Sequence, residues 1–317
     1  RREIASGNRF GTASLAIEEF TRIEQRVRVI LGEAHSKSQN HREAAGAYEA
    51  ASLLNGPDSG EALFRLGLVR LNHLSDYEGA AKNFHTFTGT YRNDAKRADA
   101  AFNEALCYQH SYYEGKDKHL ADAIRLFGEF VKAHKKHEMS HVAQFYEGKL
   151  QHIQEDWNAA VQALKPLLGN EDPALSQLVF LLGDSYHQKG DWEQSAEFYM
   201  QFAKGNEKAP NADVALHNAG VAYTNLKKPD NQSAIAAYEL LESKCPSSPH
   251  VSSALLKLGI IHYEAGRSPA KRCACNSLRF FPFVRAHIVV LGAHFPCPYG
   301  RIYLRDPPIT SDNHSQP

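Results

Sequence analysis

Apolar side chains recur at helical spacing between residues 175 and 210, and the pattern predicts two amphipathic helices joined by a polar turn. Leu182 and Tyr186 share one face of the first helix, and Tyr199 lies on the apolar face of the second. Residues 188–191 interrupt the period between them. A single hairpin of this size cannot bury both of its faces, so the pattern indicates that neighbouring hairpins pack against it.

The same pattern recurs along the chain at intervals of 35 to 43 residues. Each first helix carries a small residue at one fixed position, and these residues are Gly32, Gly67, Ala105, Gly148, Gly183, Gly220 and Gly259. Each of the first six is followed by a small residue and, four positions later, a large one: Ala44 and Tyr48, Ala80 and Phe84, Ala123 and Phe127, Ala160 and Leu164, Ser195 and Tyr199, Ala234 and Tyr238. The small residues are expected to let paired helices approach closely.

These markers resemble the tetratricopeptide repeat, a helix-turn-helix unit with Leu-Gly and Tyr on its first helix and Ala, an aromatic residue and Ala on its second. The resemblance covers roughly residues 10–270 and implies an all-α, right-handed solenoid of helical hairpins with an irregular C-terminal tail. The predicted array at 1–270 has a partial unit at 1–22, complete units at about 25–58, 60–93, 97–136, 141–173, 175–210 and 213–247, and a partial unit at 252–270.

Both ends of the array depart from the pattern. Ala16 and Phe20 keep the second-helix spacing without a first helix before them, so the sequence is expected to begin inside a longer array. Residues 271–317 form the predicted tail, and from Arg272 onward the sequence contains neither Lys nor Glu but three cysteines and six prolines. The tail is either an unstructured or partly docked extension or, as we favour, a terminus foreign to the array, such as a shifted reading frame or an alternative exon produces.

The charge balance, the lengths of the apolar runs and the cysteine spacing argue against a nucleic-acid partner, a membrane-spanning helix and a disulfide framework. Lys plus Arg and Asp plus Glu number 36 each, and no basic stripe stands out, so we expect no nucleic-acid partner. The longest apolar runs, at residues 178–182 and 288–291, are far below the roughly 20 residues of a membrane-spanning helix. Five unevenly spaced cysteines argue against a disulfide framework, and Cys107 and Cys245 are interpreted as packed thiols.

No motif of a catalytic or nucleotide-binding site is present, so no catalytic residue and no cofactor are predicted. His134, His137 and His141 have a spacing that would place three metal ligands on one helix face. Residues 133–140 fall between two predicted helices, however, so we expect an interrupted period and no metal site. The tail cysteines Cys273, Cys275 and Cys297 match no compact zinc pattern and are interpreted as incidental.

The resemblance implies that the second, fifth, ninth and twelfth positions of each first helix face a concave groove that binds other proteins. It places four phenylalanines in line at the fifth position, where they either form an aromatic ladder for a partner or pack along their own helix row. The residues predicted to bind a partner are Phe64, Leu68, Phe102, Leu106, Phe145, Lys149, His152, Phe180, Asp184, His187 and His217.

The predicted function is therefore a non-catalytic adaptor or scaffold that binds an extended or helical peptide segment of another protein. Val29 and Glu33 stand where chaperone-binding repeats carry Lys and Asn, which disfavours the acidic tails of chaperones as partners. Second-helix sequences such as residues 84–91 resemble those of bacterial outer-membrane assembly lipoproteins and cell-division coordinators, which favours a periplasmic over a cytoplasmic location. The alternative is an accessory portion of a larger enzyme or regulator, and the open seventh unit also allows self-association.

Overall fold

The computed structural model describes residues 2–54, 56–205 and 209–265. Within these ranges the chain forms α-helices and two short 3₁₀-helices, Lys165–Leu167 and Pro173–Leu175, and no strand. The α-helices are α1 (Arg2–Lys37), α2 (His41–Ser52), α3 (Ser59–Asn72), α4 (Tyr77–Thr90), α5 (Arg97–Tyr113), α6 (His119–Ala133), α7 (Ser140–Ile153), α8 (Trp157–Leu164), α9 (Leu178–Gln188), α10 (Trp192–Gly205), α11 (Ala212–Thr224), α12 (Asn231–Lys244) and α13 (Val251–Glu264). The all-α, helical-hairpin solenoid class predicted from the sequence is confirmed. None of the described helices is both long and apolar enough to cross a membrane.

The helices form two compact units that divide between Asp191 and Trp192. In the first unit, each helix from α1 to α8 packs against the next along the chain. In the second unit, α10 packs on α11, α11 on α12 and α12 on α13. A row of helical hairpins requires that helices adjacent in the sequence also pack together, because each hairpin buries its apolar faces only against its neighbours.

Glycine allows close approach where the two helices of a hairpin cross. A Cβ atom on Gly67 would lie 2.7 Å from Cζ of Phe84, and one on Gly220 would lie 2.4 Å from Cε1 of Tyr238. Both rings are fully buried. The prediction that small residues on the first helices let paired helices approach closely is therefore confirmed in these hairpins, and the side chains that they meet are the large markers of the second helices.

The turns inside the hairpins share a local geometry. The residue before the second-helix N-cap has positive φ at Gln39, Ser75, Glu155 and Gly190. In the second and fourth hairpins an aspartate N-cap follows, and its side chain accepts a hydrogen bond from the backbone N–H three residues later, as between Asp76 and Gly79 at 3.0 Å. Such caps satisfy N–H groups that have no partner inside the helix.

Helix α1 runs without a break through residues 22–25, where the sequence suggested a boundary between a partial and a complete unit. Arg22, Ile23 and Glu24 include no glycine, proline or strong capping residue, so nothing in the local sequence ends the helix there. The side chain of Gln25 is fully buried and fastens the α2–α3 connection to this helix. Its Nε2 atom donates to the carbonyl oxygens of Ala51 and Leu54 at 3.0 and 2.7 Å.

The predicted loops and buried thiols are mostly found where expected. The spacing of the sequence markers predicts an insertion at residues 112–118, between the two helices of the third hairpin, but α5 continues to Tyr113, so part of the insertion lengthens this helix before the turn. Cys107 is buried among aromatic side chains, and burial raises the pKa of its thiol well above the usual range. Cys245 lies at the C-cap of α12 and is half-buried. The tail from residue 271 lies outside the described residues.

Candidate functional site

Three of the four phenylalanines predicted to line a groove are buried. Phe64, Phe102 and Phe145 are only 8%, 5% and 2% exposed. The ring of Phe64 packs against those of Phe84 and Phe87, with centroids 5.8 and 5.5 Å away. Their burial supports the packing alternative left open by the sequence, because rings held between helices present no face to a peptide in this conformation.

For Phe64 and Phe102, aromatic side chains of the second helices contribute to this burial. Phe87 and Phe130 occupy the position, three residues after the second marker, where the tetratricopeptide pattern carries alanine. Phe130 contacts the ring of Phe102 at 5.5 Å, as Phe87 contacts Phe64. Aromatic pairs prefer such tilted or edge-to-face contacts, which draw the first-helix ring into the hairpin.

The remaining predicted groove residues of the first unit are partly exposed. Phe180, which completes the proposed ladder, is half-buried on α9, and His187 lies two turns further along the same helix with similar exposure. Leu68 and Leu106 are half-buried on α3 and α5. Lys149 on α7 is half-buried as well.

A tyrosine missed by sequence reasoning extends this surface. Tyr113 stands in the last turn of α5 and is 49% exposed. It lies seven residues after Leu106, which places both on one face of the helix. The Nζ atom of Lys149 lies 6.0 Å from the centroid of the tyrosine ring. The continuation of the helical period through residue 113 was the available signal, and it was interpreted as an inter-helix insertion.

His152 forms a polar link between α7 and α9. Its Nε2 atom lies 3.0 Å from Oδ2 of Asp184, and its Nδ1 atom lies 3.0 Å from Oγ of Ser185. Both contacts are satisfied when Nε2–H donates to the carboxylate and Nδ1 accepts from the hydroxyl group. Although Ser, His and Asp are in contact, Ser185 is fully buried, so the arrangement holds two first helices together and offers no accessible nucleophile.

His217 plays a comparable part in the second unit. Its Nε2 atom lies 3.1 Å from Oγ of Ser253 on α13, and its Nδ1 atom lies 3.2 Å from Oδ1 of Asn218. Burial lowers the pKa of His217, an effect that the hydrogen bond to Asn218 opposes and the nearby His250 and Lys257 reinforce. This histidine thus links two first helices at a place where burial disfavours its protonated form.

The three histidines considered as metal ligands are directed to different partners. Helix α6 ends at Ala133 and α7 begins at Ser140, so the predicted interruption of the helical period is confirmed. His137 Nε2 lies 3.3 Å from Asp99 Oδ1, whereas His141 Nε2 lies 2.6 Å from Asp172 Oδ2. No group of three potential ligands within the described ranges could hold a metal ion. Cys273, Cys275 and Cys297 lie outside those ranges.

Two segments of the chain match a known repeat family. Residues 31–84 and 154–213 match a family model described as tetratricopeptide repeat. The comparison with curated proteins found no match.

Solved structures of similar fold share little sequence with this chain. The apo form of RapI is 14% identical with a TM-score of 0.50, over 83% of this chain and 77% of RapI. A tetratricopeptide repeat protein from Parabacteroides merdae is 13% identical with a TM-score of 0.49, over 77% of this chain and 89% of that one. The type IV pilus biogenesis factor PilW is 16% identical with a TM-score of 0.45, over 73% of this chain and 98% of PilW. At these identities the likeness concerns the fold alone.

Proposed function

We propose that this chain of tetratricopeptide repeats is a non-catalytic scaffold that binds a segment of another protein along the first helices of its first unit. The observation that carries the proposal is the exposed ring of Tyr113, with the ammonium group of Lys149 beside it and Leu106 on the same helix face. We name these three residues the α5–α7 patch. Aromatic anchors flanked by a charge and an aliphatic side chain are typical of residues that dominate protein interfaces.

The patch suits a peptide that combines an apolar side chain with a carboxylate. Lys149 has no carboxylate partner among the ion pairs of the described residues, so it can pair with an acidic group of a partner. The aliphatic and aromatic side chains beside it can bury an apolar residue of the same segment. His152 and Asp184 contribute by positioning α7 against α9, because their polar atoms are already bonded to each other.

Two of the buried phenylalanines, Phe102 and Phe145, lie on the helices that carry the patch. Removing the ring of Phe145, which is 2% exposed, would leave a cavity in the first unit and lower stability by about 3–5 kcal/mol. A loss of binding in Phe145→Ala would therefore report on folding as well as on contact. Substitutions at Tyr113 and Lys149 remove exposed groups and separate the two effects.

The experiment is a selection of peptides from a random library against the 317-residue chain, followed by titration of the selected peptides. We expect Tyr113→Ala and Lys149→Glu each to weaken binding by about 1–2 kcal/mol, roughly 5- to 30-fold. Leu53→Ala is the matched control, because Leu53 is exposed on the α2 C-cap, away from the patch. Unchanged affinity in both patch variants, or equal loss in the control, would remove the proposal.

Three narrower hypotheses concern the cellular role of the chain, the protein to which it belongs and its self-association. A role in bacterial envelope assembly or division depends on the second-helix sequences of α4 and α6. The alternative function, an accessory portion of a larger enzyme or regulator, is decided by the gene sequence on both sides of this chain. Self-association through the open seventh unit would involve α13, where Tyr263 is exposed.

A further inference from the structure

Helix α1 carries an exposed apolar seam on the side away from the rest of its unit. The α1 seam consists of Phe20, Ile23, Val27 and Ile30, which are between 53% and 68% exposed. The helix is held to α2 and α3 by its opposite face, which includes the buried Gln25 and Val29. At 100° per residue, the seam lies about half a turn of the helix away from that buried face.

The spacing of the seam residues is that of a helix that pairs with another helix. They follow one another at intervals of three, four and three residues, which is the seam of a coiled coil. Four large apolar side chains on one exposed face form a contiguous patch, and monomeric proteins rarely expose such patches without a partner.

The repeat register identifies the same face as a helix-packing surface. Val27 lies five residues before Gly32, and the corresponding residue is at most 4% exposed in each later first helix: Ala62, Ala100, Ala143, Leu178, Ala215 and Ala254. Ala62 and Ala100 belong to clusters that include α2 and α4 residues, so this position packs against the preceding second helix. In α1, Val27 is also apolar, but it is 57% exposed, because no preceding second helix covers it among the described residues.

We propose that two copies of this chain pair through their α1 seams as antiparallel helices related by a two-fold axis. Phe20 of each copy then lies opposite Ile23 of the other, Val27 and Ile30 lie opposite positions 16 and 13 in the first half of the partner helix, and the axis passes between residues 21 and 22. The first half of α1 also has the sequence spacing of a second helix, with a small residue, Ala16, followed four positions later by a large one, Phe20. Each copy thereby supplies the other with the antiparallel neighbour that later first helices receive from their own chain.

Charge selects the antiparallel arrangement and its register. Glu19 and Arg26 flank the seam and are both exposed, and in this register Glu19 of one copy lies near Arg26 of the other, twice by symmetry. Arg26 Nη1 otherwise lies 3.5 Å from Asp58 Oδ1. A parallel pair would instead bring Glu19 near Glu24, and an antiparallel pair shifted by one heptad would bring Arg26 near Arg26. Like charges oppose both alternatives.

The first experiment measures the mass of the 317-residue chain by light scattering and sedimentation over a range of concentrations. We expect a dimer that dissociates on dilution. Ile23→Glu with Val27→Glu is expected to weaken dimerisation at least about a hundredfold, because each change acts on both sides of the axis. Leu53→Glu, at an equally exposed leucine outside the seam, is expected to leave the dimer intact. Circular dichroism checks that all variants keep their helices.

A charge-reversal exchange tests the register independently of apolar contacts. Glu19→Arg and Arg26→Glu should each weaken the homodimer severalfold, and an equimolar mixture of the two variants should form a heterodimer. A monomeric wild-type chain at about 0.1 mM, a dimer unaffected by the double glutamate variant, or a dimer that the Leu53 control disrupts equally would overturn the proposal. A tighter homodimer of Glu19→Arg would overturn the antiparallel register.

Discussion

Replacing Gly67 with alanine places a methyl group where the ring of Phe84 already lies. The new Cβ atom would stand 2.7 Å from Cζ of Phe84, about 1 Å inside an ordinary carbon–carbon contact of roughly 3.5–4.0 Å. Phe84 is fully buried, and the ring of Phe64 packs against it, so neither ring can withdraw without disturbing the hairpin. Overpacking of this kind costs about 1–3 kcal/mol.

Helix propensity acts in the opposite direction. Alanine is favoured over glycine inside a helix by about 1 kcal/mol, so the net free energy of unfolding should fall by roughly 1–2 kcal/mol. Gly46→Ala is the matched control, because this glycine is also helical and no described atom lies within 4 Å of the place that a Cβ atom would take there. We expect the control to stabilise the protein by up to about 1 kcal/mol.

Urea denaturation followed by circular dichroism compares the two variants, and a double-mutant cycle identifies the cause. In a Phe84→Ala background the clash is gone, so Gly67→Ala should change from destabilising to stabilising. If Gly67→Ala raises the urea midpoint as much as Gly46→Ala does, the close approach of α3 and α4 does not limit this position. If the sign does not change in the Phe84→Ala background, the cost has another source.

Three further predictions follow from individual contacts. The hydroxyl of Tyr238 is buried without a hydrogen-bond partner among the described residues, and burial raises its pKa to about 12, so Tyr238→Phe should leave stability unchanged or raise it by about 1 kcal/mol. Tyr199→Phe is the control and should lower stability by about 1 kcal/mol, because its hydroxyl accepts a hydrogen bond from Asn218 at 3.2 Å. Gln25→Ala removes the bonds that hold the α2–α3 connection and should cost about 2–4 kcal/mol by urea denaturation, whereas a loss below about 0.5 kcal/mol would contradict that role. The pKa of His217 in the folded state lies below the ordinary 6.5, so this side chain binds protons more readily when the chain is unfolded. Its contribution to stability is therefore present above pH 6.5 and is lost as pH falls. His217→Gln should flatten that loss, and an unchanged dependence of the unfolding free energy on pH would argue against it.

The sequence was sufficient to predict the hairpins because their markers come in pairs. The small residue of each first helix predicts a close helix approach, and in the structure this approach is the contact between Gly67 and Phe84. The ends of the helices were harder to predict from the sequence. Helix α5 continues through Tyr113 and helix α1 continues through residues 22–25, because neither place has a residue that must end a helix. Helix length follows from packing as well as from local sequence.

The orientation of the groove phenylalanines could not be predicted from their own helices. Their spacing along first helices is compatible with exposure and with burial, and the choice depends on what the facing second helix carries. Phe87 and Phe130 replace the usual small residue and turn Phe64 and Phe102 inward. The pairing is encoded by the two helices of a hairpin together, at positions 64 and 87 and at positions 102 and 130, and not by the first helices alone.

The left-handed turns inside the hairpins bear on how independent one hairpin can be. Among the four such turns named above, glycine holds the position at Gly190, whereas Gln39, Ser75 and Glu155 adopt positive φ with a side chain attached. Residues with a Cβ atom adopt this conformation at a cost of roughly 1–2 kcal/mol. Backbone hydrogen bonds that close the preceding helix, such as Asn40 N–H to the carbonyl oxygen of His35 at 2.9 Å, offset part of this cost, and the packed helices on either side hold the turn against the rest. A single hairpin excised from the chain would relax there first, which makes correct chain reversal a property of the assembled row and not of its separate pieces.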